Sequence, residues 1–184
     1  MTVRYQIDPS RSCFTVQAFA TGMLSVLPHS PTFAVGEFAG RITLDDTVES
    51  LRLEITVSAD SLVLVDKVSA ADRQEIESRM RREVLETAAN PQVTLQAGVV
   101  ESERVAAGQY RLRLSGRLSL HGVTEPVDID AELSVYQDGV RLRGEFPLRL
   151  SDYRIRPVTA LGGAIKLKNE LKLSFDVSAF PEGT

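Results

Sequence analysis

Residues 110–135 alternate apolar and polar side chains with a period of two, and this pattern constrains the fold more than any other feature of the chain. One face of residues 110–120 carries apolar or small residues, namely Tyr110, Leu112, Leu114, Gly116, Leu118 and Leu120. The alternation breaks at residues 121–126, a stretch that contains Gly122 and Pro126, and resumes over residues 127–135. A period of two is typical of β-strands. The segment therefore predicts two long antiparallel strands joined by a loop.

The length of these strands favours a barrel. A strand of about eleven residues spans roughly 36 Å, well above the usual strand of five or six residues. Long strands that are apolar on one face and polar on the other suit a closed barrel better than a small sandwich.

Six further segments show the same alternation, at residues 13–20, 34–44, 51–57, 93–99, 140–150 and 164–178. The predicted total is eight strands, with a tight turn at Asp138 and Gly139. Gly36 and Gly40 share a face of the second strand and indicate bends or bulges there. An eight-stranded barrel is either filled by side chains or holds one small ligand, and the pattern does not choose between these.

Two segments depart from strand periodicity. Residues 21–31 predict a loop with a short helical turn, which either covers one barrel end or offers an exposed apolar patch. Residues 69–89 predict an amphipathic helix that is capped by Ser69 with Asp72 and ends before Asn90 and Pro91. We interpret its charged residues as a solvated face; they are Arg73, Glu77, Arg81, Arg82 and Glu86.

Composition limits the class of protein. A chain of 184 residues with 25% charged residues is expected to form one globular domain over residues 1–184. The net charge of −4 and the scattered basic residues predict no nucleic-acid partner. A single cysteine gives no support for an oxidising compartment. Residues 1–11 contain no signal-like apolar run and no segment reaches membrane-span length, so we expect a soluble cytoplasmic protein.

Catalytic and metal-binding chemistry is poorly supported by the sequence. His29 and His121 each stand beside turn residues, without a second metal ligand or a catalytic partner at suitable spacing. Asp128 and Asp130 point outward by strand parity. Cys13 sits in no electropositive cluster. We therefore predict no catalytic residue and no metal site.

One polar cluster could hold a ligand's headgroup. Arg149, Tyr153, Arg154 and Arg156 lie near the junction of the last two predicted strands, where arginine side chains could bind a carboxylate or pyrophosphate or simply face solvent. His29 is a further headgroup candidate. Gly162 and Gly163 predict a flexible turn that would let the backbone approach a ligand.

Several segments, in their order along the chain, resemble the YceI-like polyisoprenoid-binding proteins. They are residues 5–9 with Ser12, residues 36–38, residues 90–95, residues 116–127 and residues 151–155. The most specific is Gly-x-Leu-x-Leu-x-Gly-Val-Thr-x-Pro-Val at residues 116–127, and the resemblance covers residues 5–177.

The resemblance implies an extended, lipocalin-like barrel with an elongated apolar cavity for an isoprenoid or another long-chain amphiphile, and no catalytic residues. Family members are commonly exported and often dimeric, which leaves a homodimer open. The sequence departs from the family in lacking an export signal, in having Ala20 where a histidine is frequent, and in a longer loop over residues 21–33 that carries His29.

The leading hypothesis is a non-enzymatic carrier or binding protein that needs no cofactor and holds an isoprenoid, quinone or fatty acid inside the barrel. Strand parity gives the candidate lining residues as Phe14, Val16, Ala18, Ala20, Phe38, Ile42, Ile55, Val93, Leu95, Leu114, Leu118, Ile129, Leu133, Phe146, Leu148, Leu173 and Phe175. One alternative is a barrel enzyme with Tyr153, His29 or His121 as acid or base. The other is a filled barrel that serves as an interaction module through its strand edges or residues 23–27.

Overall fold

The fold is dominated by β-strands. The computed structural model describes residues 1–22, 30–156, 159–163 and 165–183. The strands within these residues are β1 (Val3–Ile7), β2 (Cys13–Gly22), β3 (Thr32–Val35), β4 (Phe38–Leu44), β5 (Arg52–Ser58), β6 (Leu62–Leu64), β7 (Gln92–Ala106), β8 (Gln109–Leu120), β9 (Val123–Val135), β10 (Val140–Arg149), β11 (Thr159–Ala160) and β12 (Ile165–Pro181). The helix α1 spans Ala70–Arg79 and continues as a π-helical turn, Met80–Val84.

Antiparallel pairing closes these strands into a barrel. The order around the wall is β1-β4-β5-β7-β8-β9-β10-β12, and the pairing of β1 with β12 completes the ring of eight. The predicted eight-stranded antiparallel barrel with one helix between its third and fourth strands is therefore confirmed. A branch, β2-β3-β6, continues from the other end of β12.

The branch arises because the chain is interrupted at three places, between β1 and β2, between β3 and β4, and between β5 and β6. β1 and β2 lie end to end along β12 and are separated by a short turn, Pro9–Arg11. Gly36 interrupts the predicted second strand between β3 and β4, where its N–H donates to Ser61 O at 3.0 Å. A Cβ at Gly36 would lie 3.0 Å from that carbonyl oxygen, so glycine permits the bend. A third turn, Ala59–Ser61, separates β5 from β6.

The turn between β8 and β9 is tighter than predicted. It contains only His121 and Gly122, whose φ angles are 54° and 74°. Positive φ at both central residues is the geometry of a type I′ hairpin turn, which matches the twist of the flanking strands. Pro126, predicted to be in the loop, lies in β9 opposite Arg117. This part of β9 pairs only with β8, so proline is tolerated there.

The helix begins as predicted but ends earlier. Ser69 Oγ accepts the N–H of Asp72 at 3.1 Å and donates to its carboxylate at 2.6 Å, which confirms the predicted cap. The predicted end near residue 89 is wrong, because regular helical structure stops at Val84. Glu86 has a φ of 46°, a left-handed conformation that does not continue a right-handed helix.

The barrel is filled at one end and hollow at the other. Large side chains with relative exposures below 2% pack the end formed by β1, β4 and the adjoining parts of β5, β8, β9, β10 and β12. Among them are Ile7, Ile42, Leu53, Leu114, Ile129, Leu133, Leu142 and Val177. All of these except Ile7, whose strand was not predicted, lie on the inner face that the alternation predicted. No helix in the described part of the chain combines the length and hydropathy needed to cross a membrane.

Candidate ligand-binding cavity

The hollow end encloses a cavity of about 180 Å³. Its walls come from β2, β3, β5, β6, β7, β8, β10 and β12, and α1 lies across one side. All but three of the described lining residues are apolar, the exceptions being Thr15, Arg79 and Ser174. An engineered apolar cavity of roughly 150 Å³ stays dry and binds benzene, so this space is large enough to hold part of an apolar ligand.

Aromatic rings separate the cavity from the filled end. Phe14 meets Phe38 edge-on with ring centroids 4.6 Å apart and lies 6.0 Å from the ring of Phe175. Gly144 leaves space for Phe175, because a Cβ at Gly144 would lie 2.4 Å from Cζ of that ring. Phe14 and Phe175 thus form the floor of the cavity, and Phe38 and Gly144 pack against them.

The structure divides the predicted lining residues into two groups. Those that line the cavity are Phe14, Val16, Ala18, Ile55, Val93, Leu95, Leu118, Phe146, Leu148, Leu173 and Phe175. Those placed elsewhere in the apolar interior are Ala20, Phe38, Ile42, Leu114, Ile129 and Leu133. The second group is not part of the cavity wall because most of its members lie on the inner face at the filled end.

Sequence reasoning missed the contribution of the helix to the cavity. Ile76 and Met80 point from α1 and its π-helical turn into the cavity, where Val84 and Leu85 extend the same surface. The four-residue spacing of Ile76, Met80 and Val84 is the sequence signal for this surface, but it predicts only that the helix is amphipathic. The helix is therefore a wall of the cavity.

Polar side chains of α1 hold it against the free edge of β6. Glu77 Oε1 accepts the N–H of Leu64 at 2.9 Å, and Arg73 Nη1 donates to the carbonyl oxygen of Leu64. Arg81 Nη2 donates to Leu62 O at 3.4 Å. The predicted solvated face is thus wrong for Arg73, Glu77 and Arg81, whose side chains take the place of a neighbouring strand and cover an edge that would otherwise pair with another chain.

Removing the Glu77 carboxylate is expected to loosen this attachment. Glu77→Ala leaves the N–H of Leu64 without its acceptor and should lower the free energy of unfolding by about 2 kcal/mol. Glu77→Gln keeps an acceptor oxygen and should lose less. Urea unfolding measures both variants, and amide hydrogen exchange at Leu64 should be faster in the alanine variant alone. Equal exchange in the alanine variant and the wild type would contradict the assignment.

The predicted headgroup cluster does not face the cavity. Arg149, Arg154 and Arg156 are exposed and are not among the lining residues. Tyr153 is 2% exposed and lies between two lining residues, Leu150 and Ile155, without lining the cavity itself. His29 lies outside the described residues, as does most of the predicted loop over residues 21–31. Gly162 and Gly163 form the predicted turn, with φ of 67° and 89°, away from the lining.

Burial controls the ionisation of Tyr153. Desolvation, with smaller contributions from Glu125 and Asp152, raises the pKa of Tyr153 to about 12. A phenol with this pKa is a poor general base near neutral pH.

A pH titration tests the environment of Tyr153. Phenolate absorbance should show a component that ionises near pH 12 and belongs to Tyr153. Because the folded-state pKa exceeds the unfolded value of about 10, stability should fall as pH rises from about 10 towards 12. Tyr153→Phe should remove both effects. A phenolate titration without a component near pH 12 that Tyr153→Phe removes would contradict the burial.

His121 is engaged in a structural contact. Its Nε2 lies 2.5 Å from Glu86 Oε2, and its Nδ1 lies 3.1 Å from the carbonyl oxygen of Tyr153. Both partners are acceptors, so a neutral ring satisfies one of them and a protonated ring satisfies both. His121 thereby links the segment after α1 to the turn Leu150–Tyr153. Glu86 is exposed, as predicted, and it also makes this contact.

The described residues contain no group of three His, Cys, Asp or Glu side chains arranged to hold a metal ion. Cys13 is exposed on the outer face of β2, and Asp128 and Asp130 are exposed as strand parity predicted.

A family model for the YceI-like domain matches residues 5–179, nearly the whole chain. The chain belongs to the YceI-like family. The resemblance given by the segments at residues 116–127 and elsewhere is therefore confirmed. No curated protein sequence matches the chain.

Solved structures of this YceI-like fold align over most of its length. A polyisoprenoid-binding domain from Saccharophagus degradans, implicated in plant cell wall breakdown, aligns with a TM-score of 0.71 and 14% identity and covers 98% of this chain and 99% of its own. BcnA of Burkholderia cenocepacia aligns with a TM-score of 0.68 and 13% identity, and the alignment covers 94% of this chain and 98% of BcnA. The YceI protein of Campylobacter jejuni aligns with a TM-score of 0.60 and 14% identity, and the alignment covers 83% of this chain and 85% of the C. jejuni chain. At these identities the likeness establishes the fold.

Proposed function

We propose that the protein is a non-enzymatic carrier or binding protein that holds a long apolar chain, such as a polyisoprenoid, a quinone or a fatty acid, in the hollow end of the barrel. The observation that carries this proposal is the cavity itself, whose described lining is apolar except at Thr15, Arg79 and Ser174. The S. degradans domain of the same fold, described as polyisoprenoid-binding, supports the same class of ligand.

The physical chemistry of such a cavity is sufficient for binding. Burial of about ten methylene groups at roughly 0.8 kcal/mol each contributes on the order of 8 kcal/mol before the costs of association. A cavity of about 180 Å³ encloses only part of such a chain, so the rest must leave through an opening or displace part of the wall. We propose α1 as the movable wall, because side-chain hydrogen bonds attach it to the edge of β6, whereas the strand walls are joined by backbone pairing.

Catalysis is not part of the proposal. Within the described residues, the cavity wall carries no carboxylate, histidine or cysteine, and its only ionisable group is the Arg79 guanidinium. A guanidinium has hydrogen-bond donors and no acceptor, so it is unsuited to act as a general base.

A displacement titration tests the proposed function. An uncharged naphthylamine probe, whose emission rises in apolar surroundings, should bind the detergent-free protein with a stoichiometry near one and be displaced by farnesol and by short-chain ubiquinone. Chromatography should recover both displacers chemically unchanged. Absence of probe and lipid binding would contradict the carrier assignment, and conversion of either lipid would revive the enzyme alternative.

A further inference from the structure

Arg79 is the one charged residue among the described residues that line the cavity. It is the last residue of α1, at the point where the helix widens into its π-helical turn. Its Nη1 donates to the carbonyl oxygen of Thr159 in β11 at 3.2 Å. The side chain thus spans from the helix to the neighbouring strand, and it is 33% exposed. It stands where the apolar cavity meets solvent.

Two carboxylates already neutralise the Arg79 charge. Nε lies 3.2 Å from Glu75 Oε1, and Nη1 lies 3.8 Å from Glu83 Oε2. Lys166 is paired with Thr159 in the adjoining strand, but it is exposed and lies on the opposite face of β12 from Leu167, which lines the cavity. Arg79 and its two carboxylate partners therefore carry a net negative charge.

A ligand that reaches Arg79 must present an acceptor, because a guanidinium only donates hydrogen bonds. Nη2 of Arg79 donates to no other group within the described residues. An uncharged oxygen can accept from this nitrogen while both carboxylates stay in place. An anionic end would add a third negative charge beside Glu75 and Glu83, and like charges at such short range repel.

We propose that Arg79 is a specificity-determining residue that favours chains ending in an uncharged oxygen acceptor, such as a hydroxyl, a quinone carbonyl or an ester, over chains ending in a carboxylate or phosphate. This inference rests on the proposed function and adds the chemistry of the ligand's polar end.

Three ligands that share one fifteen-carbon isoprenoid chain separate the contribution of the polar end from that of the apolar chain. They are farnesene without a polar end, farnesol with a hydroxyl, and farnesyl diphosphate with an anion. Wild-type protein should bind farnesol about tenfold more tightly than either of the other two. Arg79→Met should reduce farnesol affinity about tenfold and leave farnesene affinity unchanged. The double variant Glu75→Gln with Glu83→Gln should improve diphosphate binding about tenfold and leave farnesene binding unchanged.

Arg82→Met is the matched control, because Arg82 is an exposed arginine on the next turn and does not line the cavity. It should leave all three affinities unchanged. A wild-type preference for the diphosphate, or an unchanged farnesol affinity in Arg79→Met, would overturn the assignment of Arg79. Binding of farnesene in the same experiment would still support the carrier function. Failure of the wild type to bind any of the three would overturn both.

Discussion

Replacing Ala18 with tryptophan is expected to reduce affinity for a long apolar ligand at least tenfold while the barrel stays folded. Ala18 is 2% exposed and its side chain lines the cavity. The indole would occupy space that the ligand needs, and overpacking in such sites typically costs only about 1–3 kcal/mol. The chain has no natural tryptophan, so the emission of the new residue reports its surroundings directly. Probe titration and circular dichroism measure binding and folding.

Ala39→Trp is the matched control. Ala39 is exposed on β4 and is not among the cavity residues. Its tryptophan should emit as a solvated indole and leave ligand affinity unchanged, whereas the indole at position 18 should emit at shorter wavelength. If Ala18→Trp unfolds, Ala18→Phe provides a smaller obstruction. A folded variant of either kind with wild-type affinity would show that ligands bind elsewhere.

Replacing Gly116 with valine is expected to destabilise the protein by about 3 kcal/mol, which corresponds to a fall in Tm of roughly 6–12 °C for a chain of this length. Gly116 lies in β8 opposite Ala97 of β7. A Cβ at this position would lie 2.1 Å from Gln96 O and 2.6 Å from Ala97 Cα. These are backbone atoms, so the two strands would have to separate to accept any side chain. Thermal and urea unfolding measure the effect.

Ser115→Val separates this steric effect from the general effect of valine in a strand. Ser115 is the exposed neighbour of Gly116 and pairs with Asp128. Valine suits an exposed strand position, so this change should be nearly neutral. A loss at Gly116 no larger than the loss at Ser115 would contradict the close approach of β7 and β8.

The sequence could predict which residues of a strand face the inside of the barrel. It could not predict how far along the barrel axis each of those residues lies. Leu114 and Leu118 share a face of β8 with identical alternation, yet Leu114 packs in the filled end and Leu118 lines the cavity. Strand parity carries no information about how far a residue lies along the barrel axis. That distance depends on strand stagger and on the bend near Gly36, both of which are set by tertiary pairing.

The role of the helix was harder to predict for a related reason. The four-residue spacing of Arg73, Glu77 and Arg81 is typical of an exposed face stabilised by ion pairs. In the folded chain, the same side chains bind the backbone of β6, whose edge is free because the next strand, β7, pairs with β5 instead. Local periodicity does not reveal which strand has a free edge. By contrast, the alternation of Val3, Tyr5 and Ile7 could have predicted β1.

Native mass spectrometry of the protein purified without detergent tests the central claim most directly, with solvent extraction of the same sample and Ala18→Trp measured beside it. The carrier account predicts a stoichiometric adduct that extraction resolves into a long-chain lipid, and the loss of this adduct in Ala18→Trp. A wild-type mass that remains bare after incubation with isoprenoid alcohols, quinones and fatty acids would contradict the account and favour a barrel that acts as an interaction module.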